Sequence, residues 1–207
     1  YFPLAQKNVD TGMGLERIAM VLQGVETVFD TDALSSLMNA LPSANTDQRM
    51  KRIIADHARS SAFLIADGVR PSNKERGYIL RRLMRRMIIQ AHLAGVSSFS
   101  DTDTLSMGYE LDLEKVFEKI IQNYNAFYPE LDKDSILSTF KEESGVFRKT
   151  LYNGLRELKK VEIIDAPAAF KLFETFGLPY DIIKEVGGEK AQSLRYEEFE
   201  NEFIKHQ

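Results

Sequence analysis

Hydrophobic positions recur every three or four residues along most of the chain, which predicts one helix after another. Ile18, Ala19, Val21 and Leu22 share a side of a helix that opens near Leu15 and ends at Gly24. A second spans Asp32–Leu41 and stops at Pro42-Ser43. Beyond the polar loop Ser43–Asp47, a third covers Gln48–Ala66 and carries Ile53, Ile54, Ala58, Ala62 and Ile65. The turn-rich loop Asp67–Asn73 leads to a fourth, from Glu75 or Arg76 to Leu93, with Gly95 as its stop. After the polar loop Ser97–Gly108, Leu113, Val116, Phe117, Ile120, Ile121 and Tyr124 form the apolar face of a helix over Asp112–Phe127. A long amphipathic helix follows over Asp134–Lys160, its stripe made of Leu137, Phe140, Ser144, Phe147, Leu151, Gly154 and Leu158. Three short helices close the pattern: from Asp165-Ala166-Pro167 to Gly177, from Pro179 to Gly187-Gly188, and Leu194–Lys205. The exception is Asn8–Gly14, which reads as an extended, strand-like segment. The expected fold is mainly α: a multi-helix, bundle-like body preceded by a short strand and helix.

Composition narrows the class. With 207 residues, 43% hydrophobic, the chain can bury a sizeable core and is not a disordered tail. No apolar run approaches the roughly 20 residues of a membrane span, so no membrane partner is expected. The absence of cysteine rules out disulfides, thiolate metal sites and cysteine nucleophiles. Tyr1-Phe2-Pro3-Leu4 has no initiator Met and no signal-peptide pattern, and a strand-like stretch follows at once. The expectation is an interior piece of a longer protein, with exposed apolar surface on residues 1–25 where sheet partners are missing.

The net charge of -4 hides a division. Residues 51–95 hold ten Lys+Arg and three Asp+Glu, giving +7, and the rest of the chain sums to -11. On the fourth helix, with Arg81 at 0° and steps of ~100°, Arg85, Arg82 and Arg86 fall at roughly 40°, 100° and 140°. Ile79, Leu80, Leu83, Met84 and Met87 take the other side. No acidic residue stands at i±4 to neutralise the stripe. Four guanidiniums on one rigid element suit phosphate oxygens. Arg70, Ser72, Asn73, Lys74 and Arg76 add donors at the helix N-terminus, and an amide such as Asn73 suits a base edge. Two readings stay open: a polynucleotide-binding face, or a helical protein-interaction module whose basic helix meets acidic groups of its own chain or of a partner.

In the extended segment, Asn8, Asp10, Gly12 and Gly14 share one face, the glycines leaving room for a small or flat ligand beside the Asp10 carboxylate. Arg17 falls in the first turn of the next helix, where the dipole disfavours a cation unless an anion binds. An ordinary turn is the simpler reading of Gly-x-Gly alone, and an ATP-binding domain argued from it lacks a phosphate-binding lysine. His57 is expected to be a hydrogen-bonded structural histidine, and His92 and His206 show no metal-ligand spacing, so no metal site is expected.

Together these segments resemble the alanyl-tRNA synthetase family of class II aminoacyl-tRNA synthetases. The resemblance rests on Asn8-Val9-Asp10-Thr11-Gly12-Met13-Gly14-Leu15-Glu16-Arg17, then Ile54-Ala55-Asp56-His57, Asp67-Gly68-Val69 and Pro71-Ser72-Asn73. It continues through Arg76-Gly77-Tyr78-Ile79-Leu80-Arg81-Arg82, Arg85-Arg86 and Leu172-Phe173-Glu174-Thr175-Phe176-Gly177-Leu178-Pro179. It implies that residues 1–25 end the aminoacylation domain and carry motif 3, and that residues 26–207 form the helical tRNA-recognition domain. Arg17 is then the arginine that contacts ATP and Asp10 holds the amino group of alanine, with Asn8, Gly12 and Gly14 lining the pocket. Asn73 corresponds to an asparagine that contacts a G·U wobble pair in the tRNA acceptor stem. Glu174 stands where the family usually has an aspartate as second reader, one methylene longer. Arg70, Arg76, Arg81, Arg82, Arg85 and Arg86 are expected to bind the tRNA alongside them. The implied parent is a cytoplasmic alanine-tRNA ligase using ATP and Mg2+, its zinc site outside this chain. Motifs 1 and 2 are not matched, so the piece alone is expected to bind acceptor stem without forming adenylate or stably holding a cofactor.

Overall fold

The computed structural model describes residues 3, 5–41, 47–95 and 112–205. The described residues form helices α1 (Leu15–Gln23), α2 (Asp32–Ala40), α3 (Gln48–Ala66), α4 (Glu75–Gly95), α5 (Leu113–Tyr124), α6 (Lys133–Lys160), α7 (Ala166–Phe176), α8 (Tyr180–Gly187) and α9 (Tyr196–Lys205). The mainly α expectation holds. The stop at Pro42-Ser43, the loop expected at Ser43–Asp47 apart from Asp47 itself, the loop expected at Ser97–Gly108, and His206 lie outside the described residues.

Carboxylate caps fix several of the starts. Asp47 accepts from the Met50 amide (2.6 Å), Asp132 from Ser135 (2.7 Å) and Asp165 from Ala168 (3.0 Å), each satisfying an amide that lacks an intrahelical partner. The Asp132 cap starts α6 slightly earlier than the periodicity suggested. Two 3-10 turns unread in the sequence stand at Val28–Asp30 and Gly188–Ala191, the first closed by the reciprocal Thr27–Asp30 capping box. The segment Asn8–Gly14 forms neither helix nor strand. Among the described residues no neighbouring chain pairs with it, and a ladder needs two members.

The core is built on α3 and α4, which pack along one another. Ala55, Ala58 and Ala62 of α3 are fully buried, and their small side chains admit Leu80, Met84, Met87 and Ile88 of α4, also buried. Helix α5 covers α3 and α2, joined to α6 by the tilted Phe117–Phe140 pair at 5.0 Å. Helix α6, about 42 Å long at 1.5 Å per residue, contacts α3, α4 and α5 and also α7 and α8. It thereby ties the α3–α4 pair to the α7–α9 group. The latter closes on an aromatic cluster in which Phe173 meets Phe199 at 5.7 Å and Phe203 at 5.8 Å. Phe140, Ser144, Phe147, Leu151, Gly154 and Leu158 are buried as the stripe required, with Leu137 half-buried.

Candidate nucleic-acid interface

The loop before α4 is folded by its own short-range bonds. The Ser72 amide donates to the Gly77 carbonyl (3.1 Å), and its hydroxyl donates to the Lys74 carbonyl (2.9 Å). The chain doubles back so tightly that a Cβ on Gly77 would collide with Ser72 Oγ and come within 2.5 Å of the Arg70 carbonyl oxygen. A larger residue at 77 therefore requires the loop to shift. The turn leaves Asn73 exposed, its Oδ1 accepting a short hydrogen bond from Nη1 of Arg81. With the oxygen so engaged, the Asn73 NH2 group is the part free to meet a ligand.

The arginine stripe is not an open basic face. Glu143 of α6, 7% exposed, accepts from Nε of Arg81 (3.2 Å) and Nε of Arg85 (2.9 Å). The Arg85 guanidinium also lies 4.7 Å from the centre of the Phe147 ring. Arg86 pairs with Asp181 of α8 at 2.9 Å. Arg81 also donates to Asn73 and to the Pro71 carbonyl (3.4 Å). Arg82 is the exposed member, with no ion pair among the described residues. The neutralising carboxylates come from other helices, so an i±4 search could not find them. Glu143 did leave a trace: it stands three residues after Phe140 and four before Phe147, a charge on the buried stripe of α6.

Glu174 approaches from the other side. Helix α7 ends at Gly177 in the left-handed region (φ 65°), which turns the chain back towards α8. Its last turn rests on Gly154 of α6, where an added Cβ would lie 2.7 Å from Phe176 Cβ. This packing brings the exposed Glu174 to a cleft of about 800 Å³ that Asn73, Arg81, Arg82, Arg85 and Arg86 also line. Tyr78 and Tyr196, both exposed, and the carboxylates Asp181 and Glu200 complete its polar character. Four arginines thus face three carboxylates, so the cleft is mixed in charge rather than strongly positive. Arg70 and Arg76 are not part of it. They line a separate hollow of about 260 Å³ with Lys74, and Arg70 is tied to the Ser135 hydroxyl at 3.0 Å.

The residues of the glycine segment lie apart from the cleft. Asn8, Asp10, Gly12, Gly14 and Arg17 are all exposed. A Cβ on Gly12 would meet open space, and one on Gly14 only the Arg17 side chain at 3.6 Å. These residues offer a carboxylate, a guanidinium and unobstructed backbone. Val9, Met13, Leu15, Val21 and Leu22 expose apolar surface around them, as expected for residues 1–25. Helix α1 is fastened to the body by Glu16, 2.9 Å from Nη1 of Arg59. A backbone hydrogen bond, and then the Arg59 charge, hold the Glu16 carboxyl below its ordinary range despite burial. Arg59 also donates to the Tyr124 hydroxyl (3.4 Å), which donates to the Ala33 carbonyl (2.8 Å). His57 is half-buried with Nδ1 3.1 Å from Asp56, a local pair consistent with the structural role expected of it. Among the described residues there is no cluster of three or more metal-ligating side chains and no helix long and apolar enough to cross a membrane.

Comparison with known proteins gives one family. The family described as "tRNA synthetases class II (A)" matches residues 1–207. An alanine–tRNA ligase of Rhizobium johnstonii is 41% identical over 196 residues, covering 88% of this chain and 21% of the relative. That of Alkaliphilus oremlandii is 37% identical over 224 residues, covering 99% and 24%. That of Corynebacterium diphtheriae is 38% identical over 216 residues, covering 95% and 23%. The chain thus spans less than a quarter of the length of these curated relatives.

Proposed function

The chain belongs to the class II tRNA synthetase family, and from that premise we propose that it is the acceptor-stem-reading part of an alanine–tRNA ligase. The observation that carries the reading is the shared cleft: Asn73 on the α3–α4 loop and Glu174 on α7 line it together, with four arginines between and beside them. A-form RNA presents base edges in a wide, shallow minor groove that short polar side chains reach. In a G·U wobble the guanine 2-amino group is left without a base partner, whereas cytosine O2 engages it in G·C. A carboxylate accepts from such a free amino group, the role of Glu174. The Asn73 NH2 donates to the acceptor beside it, uracil O2 or a ribose oxygen. The longer glutamate meets the same amino group with a different side-chain angle from an aspartate.

Arg82, exposed and without an ion pair among the described residues, makes the most direct phosphate contact, with Arg85 and Arg86 adding their remaining guanidinium donors. Arg70 and Arg76 extend the basic surface along the N-terminal end of α4. Residues 26–207 form this recognition domain, and residues 1–25 end the aminoacylation domain of a cytoplasmic parent enzyme. In that parent, ATP with Mg2+ activates the alanine carboxyl as an adenylate before transfer to the tRNA 3′ end. Arg17 binds a nucleotide phosphate and Asp10 the alanine ammonium group, while Asn8, Gly12 and Gly14 leave the ligand room against the backbone.

One observation favours the competing reading of a protein-interaction module without RNA contact: Arg81, Arg85 and Arg86 already meet carboxylates of their own chain. Titration of the chain with an acceptor minihelix carrying G·U, and with the same duplex carrying G·C, separates the two. Tighter binding of G·U that weakens with salt supports RNA readout. Equal and negligible binding of both favours the interaction module.

A further inference from the structure

We propose that Glu143 is a positioning residue for base readout, holding Arg81 so that Arg81 fixes which end of the Asn73 amide faces the cleft. The proposal rests on the base-reading role given to Asn73 above.

The chain of contacts is short. Glu143 is a carboxylate on the buried stripe of α6, 7% exposed between Phe140 and Phe147, and its ion pairs among the described residues are with Arg81 and Arg85. A charge in that position is costly unless paired. Its two oxygens divide between the two guanidiniums, Oε2 accepting from Arg81 Nε and Oε1 from Arg85 Nε. Arg85 is further held against Phe147. Arg81, pinned at Nε, turns Nη1 onto Asn73 Oδ1 and Nη2 onto the Pro71 carbonyl, one residue before Ser72 and two before Asn73. An amide presents a carbonyl or an NH2 group depending on a half-turn of its side chain, and the two choices demand opposite base chemistry. Arg81 is donor only, so it accepts just one of them: oxygen inward, NH2 outward. Glu143 thus acts on specificity through Arg81, without contact with RNA.

Glutamine at 143 keeps the shape but replaces one acceptor with a donor, which faces a guanidinium that is also a donor. Aspartate keeps both acceptors on a shorter stem. The test uses the whole chain and the two minihelices, G·U and G·C, with thermal unfolding of each variant as the check on folding. Glu143→Gln should lower the G·U over G·C preference by about tenfold, as expected for a lost charge-assisted bond. Glu143→Asp should restore part of the preference. In an Asn73→Ala background Glu143→Gln should change the preference no further, because the two act in one chain. Equal weakening of both minihelices, with the preference intact, would make Glu143 merely structural and overturn the proposal. If Asn73→Ala leaves the preference unchanged, base readout itself fails and the proposal falls with it. If Asn73→Ala abolishes the preference but Glu143→Gln leaves it intact, the positioning role alone is refuted.

Discussion

Two glycine-to-alanine changes, one at Gly77 and one at Gly145, separate packing from helix propensity. Both residues lie in helices, α4 and α6, so the intrinsic gain from alanine, at most about 1 kcal/mol, is common to them. Their surroundings differ. A Cβ on Gly145 would find nothing within 4 Å. A Cβ on Gly77 would collide with Ser72 Oγ, a side chain able to turn, but also with the Arg70 carbonyl at 2.5 Å, which is backbone. Relief therefore requires the 70–73 loop to move, at a typical overpacking cost of about 1–3 kcal/mol. Gly145→Ala should then be stabilising by up to about 1 kcal/mol, and Gly77→Ala neutral to destabilising by about 2 kcal/mol after the propensity gain is subtracted. The difference between the variants reads the collision alone, about 1–3 kcal/mol, or roughly 2–12 °C in Tm for a domain of this size. Urea and thermal unfolding give the stabilities, and minihelix titration reads the consequence for Asn73, which rides on the displaced loop. A Gly77→Ala protein as stable as Gly145→Ala, with undiminished G·U preference, would refute the claim that this close approach sets the reader's place.

Further outcomes follow from the charges and the exposed surface. Arg82→Ala should flatten the salt dependence of minihelix binding by roughly one unit of slope, whereas Arg81→Lys should leave the slope unchanged and reduce the G·U preference. Burial holds the His92 imidazole below its ordinary pKa of 6.5. The unfolded chain therefore takes up that proton first, and its contribution to stability is full above about 6.5 and declines as pH falls towards the folded value. His92→Gln should remove that part of the loss in urea midpoints measured between pH 7.5 and 5.5. Val21→Ser with Leu22→Ser should reduce self-association of this chain in sedimentation, since both side chains are more than 70% exposed on α1.

The helices were legible because each carried several redundant signals. Helix α7 shows why: Asp165 caps it, Pro167 suits its first turn, Phe170 sits on its buried side and Gly177 turns the chain out of it. Phe127, by contrast, falls in a turn after α5, because the apolar pattern has no way to announce that Tyr124 is already committed to Phe63 and Ala33. That Asn8–Gly14 stands outside the helices could be read locally, but a strand also needs a neighbour, which no local pattern supplies. At the cleft the same limit applies. Arg81, Arg82, Arg85 and Arg86 could be placed on one face from a helical wheel, yet their ionic state depends on Glu143 and Asp181, which tertiary packing delivers from α6 and α8. The separation of Arg70 and Arg76 from the stripe was likewise invisible, because the turn closed by Ser72 and Gly77 points them into a different hollow.

The central claim, that Asn73 reads the wobble pair from this cleft, is tested most directly by a double-mutant cycle between protein and RNA. Affinities are measured for the parent chain and Asn73→Ala, each with the G·U and the G·C minihelix, at one fixed salt concentration. A base contact predicts a coupling of roughly 1–3 kcal/mol between residue 73 and the wobble pair, if RNA base readout resembles that of DNA. A coupling of zero, with Asn73→Ala weakening both duplexes equally or neither, would contradict the account.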